Sequence, residues 1–194
     1  MLSPIEPAIL NRLNPADPNE LCVFCWAGLR NLNDGHVAPA LYLNAFRDVH
    51  AIIKQNWDPG TRARDRDSKT GDRDGAPHAI HYHRSTSACL RAVQGDGGSR
   101  PIVLDLDLDY FTRAHPSAER HRQIRLPDAS IRQTLDPAFP FMAELLPRLS
   151  GMTIALEPGY CGGILNSLRI LDTVCHTLFR GAGLSRFAAR GGSA

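Results

Sequence analysis

Residues 101–111 read PIVLDLDLDYF. The first half is β-branched and apolar, and the turn cluster Gly95–Ser99 (GDGGS) bounds it upstream. It is short enough for a strand buried in a parallel sheet. In the second half, Asp105, Asp107 and Asp109 stand at alternate positions. Alternate residues of a strand share one face, so three like charges would crowd at its carboxyl end. That costs free energy unless a cation neutralises them. Carboxylate oxygens are hard donors that suit Mg²⁺ or Mn²⁺. The plainer reading is a strand end running into solvent, with acids protecting an edge. The apolar lead-in, read as buried on both faces, favours the metal, because sheet interiors do not tolerate idle charge.

Downstream, residues 152–163 read MTIALEPGYCGG. A second buried strand, Met152–Leu156, again ends in a carboxylate, Glu157, before a Pro-Gly turn and a Gly-Gly entry to a helix. The helix spans Ile164–Phe179, and Ile164, Leu168, Leu171, Val174, Cys175 and Leu178 fall on one face. In parallel sheets, ligands bind beyond the carboxyl ends of the strands. A carboxylate there can take the two N–H groups of a guanidinium, or can simply favour a helix N-terminus. Gly159, Gly162 and Gly163 allow tight turning or close backbone approach. The two motifs predict neighbouring parallel strands in an α/β domain, with a largely parallel sheet flanked by helices.

Outward from this centre, Val37, Leu41, Ala45, Val49 and Ile52 recur every three or four residues. That spacing predicts a helix over Val37–Lys54, with Asp34 or Gly35 just before it and Pro39 in its first turn. Leu21–Trp26 is a strand or the start of a helix, and Phe139–Leu149 can form a helix. Residues 112–136 are basic and loop-like. Residues 1–20, with four prolines, read as an extended segment, 21–180 as a single α/β domain, and 181–194 as a frayed tail. Within the domain, residues 58–77 (DPGTRARDRDSKTGDRDGAP) have alanine as their only apolar type and read as a mobile charged loop.

With 22 Lys and Arg against 20 Asp and Glu, the chain is too balanced to indicate nucleic acid or an acidic membrane surface. No apolar run is long enough to span a bilayer, and the five cysteines lack framework spacing, which fits a reducing cytoplasm. Cys22 and Cys25 form a lone CxxC inside an apolar run, better read as packing than as a zinc or redox site. His81 and His83 alternate on a possible strand and can ligate metal, though surface histidines are commoner. Cys161 lies near a helix N-terminus without a neighbouring histidine.

In this order, followed by an amphipathic helix, DLDLDYF and TIALEPGYCGG resemble the C-terminal half of the peptide arginases, members of the arginase–deacetylase (ureohydrolase) superfamily. NDGHVAPALYLNAFRDVHAIIK is similar to that family's helix after its first metal motif, and the resemblance covers about residues 20–180. It implies a ureohydrolase-like fold that converts peptidyl arginine to ornithine and urea, with an arginine-containing precursor peptide as partner. It also implies a two-Mn²⁺ cluster with Asp105 and Asp107 as ligands and Asp109 as an orienting carboxylate or further ligand. Glu157 then takes the catalytic role of holding the substrate guanidinium, with Gly162 and Gly163 beside it. Two metals would lower the pKa of a bridging water for attack on the guanidinium carbon.

The family's first metal motif, Asp-x-His-x-Asp, is missing from the chain; His36 and the trio His78, His81 and His83 do not have its spacing. The reading is therefore of an N-terminally incomplete form, or else a degenerate homologue. Two other classes remain: a non-catalytic remnant of the fold that binds a peptide, and a phosphatase of the haloacid-dehalogenase type. The latter also opens on an apolar strand and Asp-x-Asp, but Asp109 stands where it usually has Thr or Val.

Overall fold

The computed structural model describes residues 6–24, 37–52, 66–95, 100–114 and 123–179. The chain divides into two compact units, one of residues 1–53 and 63–85, the other of 54–62 and 86–194.

The first unit opens with two short helices, α1 (Glu6–Leu10) and α2 (Pro18–Val23), inside the segment read as extended. Asp17 caps α2 by accepting the Asn19 N–H at 2.8 Å, and Pro18 takes the first position, where a missing amide hydrogen costs nothing. Leu21–Val23 is thus helical, with Phe24 as the C-cap. Cys25 and Trp26 lie outside the described residues.

A third helix, α3 (Val37–Tyr42), stops far short of Lys54. Asn44 adopts a φ of 57°, Ala45 N–H bonds to Ala40 O at 2.8 Å, and Asn44 N–H bonds to Leu41 O at 3.0 Å. These two bonds satisfy the last carbonyls of the helix, and asparagine tolerates the left-handed conformation they need. Val49 and Ile52 then run in a strand, β1 (Asp48–Ile52), where branching at Cβ is favourable. Asp34, Gly35 and Lys54 lie outside the described residues.

The charged stretch is not a loop throughout. Residues 58–65 lie outside the described residues, but β2 (Arg66–Gly71) forms an antiparallel hairpin with β3 (Pro77–His83). β3 also pairs with β1 in parallel, giving the order β1-β3-β2. Polar groups of the turn supply the order that apolar burial does not. Asp72 Oδ1 accepts the amides of Asp74 at 2.9 Å and Ala76 at 2.8 Å, and Oδ2 lies 3.4 Å from His78 Nε2. His78 Nδ1 in turn reaches Arg47 O at 2.5 Å. Asp72 and His78 are both buried.

The second unit contains α4 (Thr86–Gly95), β4 (Ile102–Asp107), a 3₁₀ turn (Leu108–Phe111), β5 (Thr112–Ala114), β6 (Gln123–Arg125), α5 (Asp128–Leu135), α6 (Pro140–Leu145), β7 (Leu149–Ala155) and α7 (Ile164–Leu178). β4 and β7 pair in parallel, with Asp105 opposite Thr153 and Asp107 opposite Ala155. β5 and β6 pair antiparallel, so the described part of 112–136 holds two strands and a helix, and residues 115–122 lie outside the described residues. The fold is mixed α/β with small sheets, one of them the parallel β4–β7 pair, flanked by helices.

Leu106, Leu108, Phe111, Ile131, Met142, Ile170, Val174 and Leu178 are buried in this unit. β4 is covered on one face only among the described residues: Leu106 is buried, while Val103, Asp105 and Asp107 are exposed on the other. The α7 face also differs from its apolar stripe. Ser167, Ile170, Thr173, Val174 and Leu178 are buried, whereas Ile164 and Leu168 are 51% and 47% exposed. Helix α7 packs on α5, and the Thr173 hydroxyl reaches Asp128 Oδ1 at 3.1 Å. The Arg125 guanidinium, foremost, and this hydroxyl hold the Asp128 carboxyl below its ordinary value despite some desolvation. No helix among the described residues is long and apolar enough to cross a membrane.

Burial, the largest single influence on Asp72, pushes its carboxyl up. The amides of Ala76 and Asp74 and the His78 side chain together hold it below the ordinary value. The unfolded chain therefore takes up this proton at a higher pH than the folded one. The turn's contribution is complete above about pH 4 and is lost as pH falls through the lower folded value. Hydrogen-exchange protection of the Asp74 and Ala76 amides should drop over that window relative to β4. In Asp72→Ala it should be low at every pH; retained protection in that variant would refute the assignment.

Candidate metal centre

The carboxyl end of β4 runs directly into the 3₁₀ turn, where Asp107 is the cap residue and Asp109 lies in the first turn. Leaving the extended conformation breaks the strand alternation and swings Asp109 out of line with Asp105 and Asp107. Thr112, itself buried, closes this turn: its N–H and its hydroxyl both donate to Asp109 O, the hydroxyl at 2.8 Å. The same hydroxyl lies 3.4 Å from Tyr160 O, which ties the turn to the loop after β7.

That loop is a compact knot of backbone bonds. The amides of Tyr160 and Cys161 both donate to Glu157 O at 3.0 Å, and Gly163 N–H donates to Pro158 O at 2.8 Å. The buried Cys161 thiol donates to Leu156 O at 3.3 Å, which makes it a packing group rather than a nucleophile. Glu157 adopts a φ of 41°, a left-handed conformation for a non-glycine residue directly before proline. Gly162 has a φ of 79°, and a Cβ there would stand 2.7 Å from Gln123 O of β6. Its glycine is thus demanded by the approach of β6. Gly163, with a φ of 109°, is the N-cap of α7 and has open space around it.

One carboxylate oxygen from each of Asp107, Asp109 and Glu157 lies within 4.8 Å of the other two. Asp107 is exposed, and Asp109 and Glu157 are half-buried. Asp105 stands apart from this trio: its Oδ1 accepts the Thr153 hydroxyl at 2.5 Å, straight across the strand pair. Glu157, read from the sequence as a guanidinium acid, is therefore within ligand reach of Asp107 and Asp109.

Neither a family model nor a curated protein nor a solved structure matches this chain.

The donors decide what the trio can hold. Three carboxylates are a hard oxygen set, suited to Mg²⁺, Mn²⁺ or Ca²⁺. Two oxygens on one ion stand at most twice the metal–oxygen distance apart, roughly 4.2 Å for Mg²⁺ and 5.2 Å for Ca²⁺. Oxygens that all lie within 4.8 Å of one another are close enough to share one ion of this class. The trio fits a single ion. Among the described residues of this unit, no imidazole or further carboxylate joins the trio within the same span.

Other candidates recede. Burial pushes the Cys89 thiol up to about 11, so it stays protonated, and Tyr110 is raised by its own burial and then by Cys89. Cys22 is exposed on α2, while Cys25 and His36 lie outside the described residues. The sequence reading found all three carboxylates but missed Thr112 and Thr153. Only Thr153, placed in a strand parallel to the acidic one, carried a signal.

Gly162→Ala should destabilise the chain by about 1–3 kcal/mol through its backbone conformation alone, with the clash on Gln123 added. Gly159→Ala, with nothing near its Cβ, should stay within roughly 0.5 kcal/mol of the parent. Urea denaturation of the two variants measures this; equal midpoints would show that β6 does not hold the loop.

Proposed function

We propose that this chain is a metal-dependent hydrolase domain of the peptide-arginase kind, with a ureohydrolase-like sheet. It holds a hard divalent cation, manganese by preference, through Asp107, Asp109 and Glu157. Its substrate is an arginine-containing precursor peptide, converted to the ornithine peptide with release of urea. One observation carries this reading: parallel pairing of β4 with β7 brings carboxylates of DLDLDYF and of EPGYCGG within 4.8 Å of one another. The four described cysteines, all free thiols, are compatible with a cytoplasmic setting.

The cation supplies Lewis acidity and an activated water when bound. The chain's own groups supply position. Thr112 and the knotted loop fix Asp109 and Glu157 from two sides. Asp105, which accepts the Thr153 hydroxyl on the exposed face of β4, would meet a substrate guanidinium beside the ion.

A second reading rests on the lack of an imidazole in the trio and the exposure of Asp107. Here the three carboxylates grip the arginine side chain itself, in a non-catalytic peptide-binding domain. The two readings part on metal.

Calorimetric titration of the whole chain with Mn²⁺ should show one binding equivalent. Asp107→Asn, Asp109→Asn and Glu157→Gln should each weaken it by at least the roughly 10–100-fold that loss of an outer-shell partner costs. Asp105→Asn should weaken Mn²⁺ far less and instead raise KM in a urea-release assay on an arginine peptide. Arginine-peptide binding by the chelator-treated chain moves the assignment to the second reading, whereas metal binding without urea release removes the hydrolase activity and keeps the metal. Failure to bind Mn²⁺, Mg²⁺ and Ca²⁺ alike removes the metal.

A further inference from the structure

Three imidazoles lie together on one face of the sheet of the first unit. His50 of β1 and His81 of β3 are register partners, so their side chains leave adjacent strands on the same side. His83, two residues further along β3, shares that side. The ring centres are 4.8 Å apart for His50–His81, 5.3 Å for His50–His83 and 6.5 Å for His81–His83, with all planes within 25°. His83 is 8% exposed, and His50 and His81 are half-buried. His78 points to the opposite face of β3 and is bonded to Arg47 and Asp72, so it takes no part.

His50 Nδ1 stands 3.0 Å from His83 Nε2. That gap plus the two ring radii accounts for the whole centroid separation, so both nitrogens lie on the line joining the rings. With only 12° between the planes, the rings meet edge to edge: one N–H donates to the other's lone pair. Ordinary packing does not call for such a trio, since apolar side chains would fill the face without polar nitrogens to satisfy.

We propose that His50 and His83, with His81 beside them, form a binding site for one borderline transition-metal ion of the zinc, cobalt, nickel or copper class. This donor class is distinct from the carboxylate trio, because imidazole nitrogens favour these ions over Mg²⁺ or Ca²⁺. Two nitrogens held at about 2.0–2.1 Å from one ion stand roughly 2.9–3.4 Å apart. The 3.0 Å gap already matches that edge, and aiming both lone pairs at a common ion at these distances requires the rings to turn by roughly 40–45°. The proton shared by the neutral pair moves to the other nitrogen of its ring, so two neutral imidazoles ligate with no net proton release. His81, stacked on His50, lies beside this pair, and water completes the shell.

The whole chain, stripped with a chelator and desalted, is titrated with Zn²⁺ by calorimetry and with Cu²⁺ followed by electron paramagnetic resonance. One equivalent of Zn²⁺ should bind in the micromolar range. The copper spectrum should show nitrogen hyperfine splitting from two or three imidazoles. The double variant His50→Ala, His83→Ala should weaken Zn²⁺ by roughly 10–100-fold or more. His176→Ala, exposed on α7, should leave it unchanged. If the double variant loses its circular-dichroism signature, the copper spectrum of the unsubstituted chain decides alone. A copper spectrum without imidazole nitrogens, Zn²⁺ binding only at millimolar concentration, or full binding in a folded double variant would overturn the site.

Discussion

The parallel pairing of β4 with β7 is the constraint on which the second unit depends. Parallel strands place like ends together, so the acids that close each strand arrive at one edge. Asp107 and Glu157 are far apart in sequence and meet only because of this pairing. The same pairing puts Thr153 opposite Asp105 and gives that carboxylate a hydroxyl donor across the strand pair. An antiparallel register would have separated the acidic ends by the length of the strands. The chemistry of the edge is thus a consequence of topology before it is one of individual residues.

How much of this was legible in the sequence depends on where each segment's order comes from. β4, β7 and α7 draw theirs from apolar pattern, and their positions were readable to within a few residues. The α7 face was not, because small polar residues, Ser167 and Thr173, occupy the buried side while Ile164 and Leu168 face outward. Their hydroxyls bond to the helix's own carbonyls or to Asp128, which removes the cost of burying them. Hydrophobic periodicity has no means of registering that compensation.

The errors in the first unit have a local cause. A three-and-four spacing through Val37–Ile52 is compatible with a helix, but a single left-handed asparagine ends it, and the remaining branched residues run as a strand. This hid His50: on a helix it has no relation to His81 and His83, whereas on β1 it is their neighbour. The stretch 66–77 misled in the opposite direction. Its composition promises too little burial for order, yet Asp72 binds two amides of the turn and a buried histidine, and the β3 ladder supplies the rest.

The candidate centre combines two costs at one place. Three carboxylates within 4.8 Å repel one another, and Glu157 sits in a backbone conformation that costs a non-glycine residue about 1–3 kcal/mol. Proline after it narrows its options further. Neither cost would persist without surroundings that over-determine it. Two amides close on the Glu157 carbonyl, Pro158 O takes the Gly163 amide, Gly162 admits β6, and the Thr112 hydroxyl spans to Tyr160. If Glu157 served only to favour the start of α7, a relaxed conformation would do, because a macrodipole rewards proximity and not a particular angle. Glu157 instead combines a φ of 41° with a carboxylate oxygen within 4.8 Å of those of Asp107 and Asp109. The proposed cation would offset the repulsion among these three acids.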